Sequence, residues 1–185
     1  MITIPTTTIK ALLTVAAKGD VRYYLNGICI DVRESDVTLV ATDGTILLAV
    51  PVVPIEPMPI GQYILDRAHA EMIKGKECTI TIEGGVIKVS RKDGVLPFTP
   101  VDGKFPDWRS VMPAQASGEI AQFNCELVGR MGKAFDLLDA PFPTIYHNGQ
   151  KGARVTSDCQ AIGIIMPMTR CDREFLPLPA WALKV

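Results

Sequence analysis

Apolar positions along the chain change their spacing in a pattern that recurs. A short apolar stretch, Ile2 to Ile4, is followed by Ile9, Leu12, Leu13 and Ala16, spaced by three and four. That spacing predicts a helix with one apolar face, and Gly19 is its expected stop. Strand-like runs come next over 22–32, 37–41 and 45–53, separated by Glu34-Ser35-Asp36 and Thr42-Asp43-Gly44, which are turn residues. The order then repeats. Residues 61–65 read as a strand, with Asp66 as helix N-cap and Gly75 as helix stop. Runs over 78–82, 86–91 and 95–99 follow, joined by Glu83-Gly84-Gly85 and Lys92-Asp93-Gly94. In the third copy residues 119–123 read as a strand and Asn124 as N-cap. Leu127, Met131, Ala134, Phe135 and Leu138 form an amphipathic stripe, and runs over 144–147, 153–156 and 162–168 close the copy.

Each copy therefore predicts β-α-β-β-β, an α+β unit of about 60 residues. Proline-bearing stretches, 51–59 and 113–118, separate the copies. The expected organisation is a complete domain over 1–113, made of units 1–56 and 60–113, then a half domain over 117–170 and an apolar tail over 171–185. One helix cannot cover both faces of a four-stranded sheet, so such units pair. Three units leave one unpaired, which predicts a partner chain or an unusual packing of the third.

Charge narrows the partners. The 185 residues carry 19 basic and 20 acidic side chains, a formal net charge of −1. Proteins that grip nucleic acid by bulk charge carry a basic excess, so any contact with DNA has to come from one face. The predicted helices supply candidates: Lys10 and Lys18 on the first, Arg67 and Lys74 on the second, Arg130 and Lys133 on the third. If the apolar sides pack on the sheets, these six lie on the opposite surface. Alternatively they are ordinary solvated positions.

Catalytic chemistry finds little support. Asp43, Asp66 and Asp107 all have local explanations as turn or cap residues. No HExxH, GxSxG or Walker-type loop is present. The five cysteines, Cys29, Cys78, Cys125, Cys159 and Cys171, form no CxxC pair, so no metal site or disulfide framework is expected. The thiols fit a reducing cytoplasm. No apolar run is long enough for a membrane span, and the N-terminus lacks the order of a secretory signal. A non-enzymatic, cytoplasmic protein without cofactors is expected.

Four stretches resemble one family. Asp20-Val21-Arg22-Tyr23-Tyr24-Leu25-Asn26-Gly27 is similar to the start of the central domain of the bacterial sliding clamp, the beta subunit of DNA polymerase III. Val40-Ala41-Thr42-Asp43-Gly44 resembles the turn that follows. The run 101–109, VDGKFPDWR, resembles the segment closing that domain, with Trp108 where the family usually has Tyr. Ile165-Met166-Pro167-Met168 resembles the family's C-terminal Met-Pro-Met ending. The resemblance implies a clamp fold of one complete domain followed by the last half of another, a form that suggests a phage, prophage or plasmid version. It departs from the family at Thr45-Ile46, where a His-Arg pair is usual, at Ser110, and at Thr169.

The resemblance further implies a DNA replication protein of processivity-factor type, with helices toward double-stranded DNA. It also implies an apolar pocket for short peptides from a polymerase or clamp loader. Matching positions are Arg22, Leu25, Thr42, Gly44, Leu47, Pro106 and Val111 on one side. On the other are Ile164, Ile165, Met166, Pro167 and Met168. The family ring uses twelve units, which four copies of this chain would supply. A dimer joined through the third units would form an arc. The alternative is an adaptor, or an inhibitor of a host clamp, that binds peptides without encircling DNA. The tail, with Phe175, Leu176 and Trp181, either occupies a clamp pocket or pads the third unit.

Overall fold

The computed structural model describes residues 1–169; the tail expected over 171–185 lies outside the described residues. Eleven strands and three α-helices run in the order β1 (Ile2–Pro5), α1 (Thr6–Val15), β2 (Gly27–Val32), β3 (Val37–Thr42), β4 (Ile46–Val52), β5 (Gly61–Asp66), α2 (Arg67–Glu71), β6 (Glu77–Glu83), β7 (Val86–Arg91), β8 (Gly94–Phe98), α3 (Cys125–Asp136), β9 (Thr144–Tyr146), β10 (Ala153–Thr156) and β11 (Ile162–Ile165). Two 3₁₀ turns, Tyr23–Leu25 and Trp108–Val111, lie between them.

The strands form two antiparallel sheets. The smaller has the order β1-β6-β7-β8, and the larger β5-β2-β3-β4-β11-β10-β9. The first two units exchange strands: β1 adds to β6 of the second unit, and β5 adds to β2 of the first. The third unit joins edge to edge, with β11 antiparallel to β4 and Gly163 opposite Leu48. One sheet thus crosses from the first unit into the third.

Burial along the strands records how many faces are covered. In β6 and β7 buried and part-exposed positions alternate, the signature of a sheet with one face in solvent. Every residue of β2 and β3 is buried. Odd and even positions there serve different cores. Ile28, Ile30, Leu39, Ile46, Leu48 and Ile165 face the helices in the main core, with Leu12, Met131 and Phe135. Cys29, Val40, Leu47, Ala49, Ile64 and Ile164 face the other way, into a second core closed by Phe105 and Trp108. The segment 99–112 therefore lies across the outer face of the larger sheet.

α1 packs against both other helices. It ends at Val15, four residues before the expected stop at Gly19, where the backbone turns extended at Ala16, and its last carbonyls find partners on the other helices. Arg67 reaches from α2 and donates to the carbonyls of Leu13 and Ala16 at 2.8 Å and of Ala17 at 2.9 Å. Arg130 reaches from α3 and donates to those of Thr14 at 3.0 Å and Val15 at 3.2 Å. Two guanidiniums thus satisfy five carbonyls at a helix end that has no basic residue of its own.

Several expected elements differ in detail. Residues 22–26 form a 3₁₀ turn instead of the beginning of β2. α2 is only five residues long, although Asp66 caps it as expected, accepting from the Ala68 amide at 2.7 Å. β11 stops at Ile165. Residues 119–123 are not a strand. In the first two units each opening strand lies on the sheet of the other unit, and among the described residues the third unit has no such sheet beside it.

Candidate functional site

A small apolar cavity opens at the seam where β4 meets β11. Its volume is about 110 Å³. Thr42, Gly44, Thr45, Ile46 and Leu47 bring the β3–β4 turn and the start of β4 to it. Pro106, Asp107, Trp108 and Val111 bring the covering segment, and Ile164 and Met166 bring β11 and the residue after it. Val111 is 46% exposed and Met166 39%, so both offer apolar surface to solvent. Leu47 and Ile164 form the floor, continuous with the second core.

The β3–β4 turn has its geometry from Asp43. One carboxylate oxygen accepts from the Thr45 amide at 2.8 Å, the Thr45 hydroxyl at 2.6 Å and the Ile46 amide at 3.0 Å. The other accepts from Arg130 of α3 at 2.7 Å. Burial alone would raise the pKa of this carboxyl, but the donors from Thr45, Ile46 and Arg130 outweigh it and hold the group below its ordinary range. Gly44 follows with φ +92°, a conformation that disfavours a side chain, and a β-carbon there would meet the Arg22 guanidinium at 3.0 Å.

Arg22 forms the rim. It donates to Asp20 through Nε at 3.0 Å and Nη2 at 2.8 Å, and to the Asp43 carbonyl at 3.2 Å. Hydrogen bonds from Arg22 lower the Asp20 carboxyl to about 2.

The cover is held by a group that sequence reading missed. Asp31, in the middle of β2, is 3% exposed. Its Oδ2 accepts from Trp108 Nε1 at 2.8 Å and also from Arg109. Arg109 donates on to Asp36 at 2.9 Å and lies 4.0 Å over the Trp108 ring. The alternation of β2 assigns Asp31 to the outer face, and the Trp-Arg pair in the covering segment supplies donors for such a carboxylate. Those two facts were the available signal.

Of the pocket positions read from sequence, Thr42, Gly44, Leu47, Pro106, Val111, Ile164 and Met166 line one cavity, with Arg22 at its edge. Leu25 is buried beneath, in the second core. Ile165 is a correction: successive strand residues point to opposite faces, so it enters the main core while Ile164 enters the pocket. Pro167 and Met168 do not line the cavity; Met168 instead donates its amide to the Gln122 carbonyl at 2.8 Å. Thr45, Ile46, Asp107 and Trp108 line it beyond those expected.

The six basic helix residues divide. Arg67 and Arg130 are turned toward the end of α1, which corrects their reading as members of an open basic face. Lys10, Lys18, Lys74 and Lys133 are exposed, and no ion pair among the described residues involves them.

Cys29 and Cys78 are buried free thiols. Burial pushes Cys29 far above, and Cys78 up to about 11, which leaves both as inert core groups. No group of three metal-binding side chains is assembled among the described residues, and no described helix is long and apolar enough to cross a membrane.

No family model matches the chain. Individual proteins do. The beta sliding clamp of Salmonella typhimurium is 36% identical over 122 residues, 60% of this chain and 33% of that protein. The Escherichia coli beta sliding clamp is 32% identical over 137 residues, 68% of this chain and 37% of that protein. The Vibrio cholerae beta sliding clamp is 29% identical over 150 residues. The chain spans between 33% and 41% of the length of these relatives. Among solved structures, the DNA polymerase III subunit beta from Pseudomonas aeruginosa superposes with a TM-score of 0.70 at 18% identity, covering 91% of this chain and 66% of that one. The sliding clamp of the same organism bound to griselimycin gives 0.68. By sequence over the greater part of its length, and by its α+β clamp fold, this chain is a homologue of the bacterial beta sliding clamps.

Proposed function

We propose that this chain works as a sliding-clamp-type protein of DNA replication. Its helix side meets double-stranded DNA through nonspecific phosphate contact, and the cavity at the β4–β11 seam takes a short apolar peptide from a polymerase or clamp loader. On this reading the protein acts by binding and has no catalytic step. The cavity carries the proposal: its floor is apolar, its open wall is Val111 and Met166, and its walls come from two different units joined by one sheet. A thioether beside a proline suits a groove that accepts more than one side-chain shape. Lys10, Lys18, Lys74 and Lys133 supply exposed charge on a chain of near-neutral balance, which suits weak, sequence-blind contact.

Fluorescence anisotropy of a labelled short peptide bearing Leu and Phe tests the pocket. Val111→Ala and Met166→Ala, at partly exposed positions, are expected to weaken binding about fivefold each while leaving thermal stability nearly unchanged. Unaltered affinity in both would reject the pocket. Retention on nicked circular DNA, with loss after linearisation, tests encirclement. Peptide binding without such retention would favour the adaptor reading over the clamp.

A further inference from the structure

The first two units pair by one rule applied twice. Each opening strand lies antiparallel to the first strand after the helix of the other unit. The register repeats as well. Pro5, immediately before α1, faces Glu77, the first residue of β6. Asp66, immediately before α2, faces Gly27, the first residue of β2.

The third unit carries both halves of the same arrangement, unused. Residues 119–123 precede α3 and belong to no sheet. Among the described residues β9, the first strand after α3, ends the larger sheet with only β10 beside it. The second unit has nothing to offer, because β5 and β6 are already paired with the first. Apolar side chains mark the uncovered place. Ile120 and Phe142 are each 85% exposed, and Phe123, Leu127 and Ile145 are only half-buried. The segment is fastened to its own chain just beyond β9: Gly118 donates to the His147 carbonyl at 3.1 Å, and Gly149 donates to that of Glu119 at 2.9 Å. Ala121 donates to the His147 ring at 3.1 Å, and the Gln122 carbonyl accepts from the Met168 amide at 2.8 Å. These bonds hold it beside the turn after β9 and leave the outer edge of β9 open among the described residues.

We propose that a second copy of this chain completes the third unit, residues 119–123 of each copy adding antiparallel to β9 of the other. Donor segment and acceptor edge sit on one unit, so a single two-fold axis satisfies both. An edge strand with apolar neighbours is the surface that invites such pairing. The repeated register places Asn124 opposite the partner's Thr144, Phe123 opposite the partner's Ile145 and Gln122 opposite the partner's Tyr146. The hydrogen bonds to the chain's own His147 turn give way to those of the ladder. This inference rests on strand pairing and stands whether or not the clamp reading holds.

Light scattering on the full chain is expected to give twice its 20.1 kDa, or a larger even multiple. Ile145→Pro, which removes an edge donor, is expected to halve that mass with the circular dichroism spectrum otherwise retained. Register is read by cross-linking. Chains bearing Gln122→Cys alone and Tyr146→Cys alone, each with Cys125→Ser and Cys171→Ser, are mixed and mildly oxidised. A disulfide-linked dimer is expected in the mixture, with at least tenfold less in either chain alone. A monomer at every soluble concentration overturns the proposal, and dimerisation only after deletion of 171–185 would assign the face to the chain's own tail. Cross-linking without preference for the mixture overturns the strand exchange.

Discussion

Asp31 shows how one residue positions a wall of the cavity. It is a buried carboxylate with Thr38 and Gln62 opposite it on the two neighbouring strands, and among the described residues its charge is answered by Trp108 and Arg109 of the covering segment and by Arg33 at 3.8 Å. Asp31→Ala leaves those donors without their buried acceptor and is expected to cost about 3 kcal/mol by urea unfolding. Asp36→Ala, at the solvent end of the same Arg109 contact, is expected to cost under about 1 kcal/mol. Equal losses would contradict the assignment of Asp31 as the anchor. Asp43 gives a prediction in pH. Its folded carboxyl is held below the ordinary range, so the stability it contributes is complete above an unfolded pKa of about 3.9 and is lost as pH falls through the lower folded value. Asp43→Asn should therefore flatten the acid limb of a stability-against-pH curve, and an unchanged limb would refute this. The turn role of Asp43 and the cap role of Asp66 were legible in sequence because both are local chemistry. Asp31 was not, because its partners lie 77 and 78 positions away.

At the scale of elements, α1 is the part most dependent on its neighbours. Isolated ten-residue helices are marginal in water, and this one relies on arginines from two other helices to satisfy its end. Arg67→Ala is expected to destabilise by about 2–3 kcal/mol in denaturant melts. Arg67→Lys should recover little of the loss, since an ammonium lacks the fork that reaches several carbonyls at once. Full rescue by lysine would reduce the contact to simple charge. Arg130 also joins the helix side to the pocket side, because its other bond is to Asp43 in the turn that lines the cavity. Arg130→Ala should weaken peptide binding at a position that touches no peptide, and anisotropy checks it. The strand pattern was readable from sequence to within a few residues for most elements. The failures, 22–26 and 119–123, are segments whose state depends on what lies beside them.

At the scale of the molecule, the unlike treatment of three similar units decides the shape. Two are closed by mutual strand exchange, and the third is attached through one seam, β4 to β11. Gly163 is the tight point of that attachment, since a β-carbon there would lie 2.6 Å from the Met131 sulfur. Gly163→Val is expected to cost at least about 2 kcal/mol by overpacking, and to open the cavity at the seam. A variant as stable as the parent would argue against a tightly packed seam. If the exposed lysines carry the contact with DNA, retention should fall steeply between low and physiological salt, and Lys10→Glu with Lys133→Glu should lower it further. Salt-independent retention would mean that threading alone holds the chain on DNA.

The sequence by itself determined what depends on near neighbours: the three-fold recurrence, the period of each strand and helix, the caps at Asp66 and Asn124, and the turn at Asp43. Its resemblance to the clamp family also brought together most of the residues that line one cavity. Only the tertiary structure decided which face each buried strand position serves, because β2, β3 and β4 are covered on both sides and their apolar residues give no sign of direction. It likewise separated Arg67 and Arg130 from the exposed lysines. A guanidinium on a helix reads the same in sequence whether it meets solvent or the carbonyls of another helix, and the distinction exists only once the helices are packed.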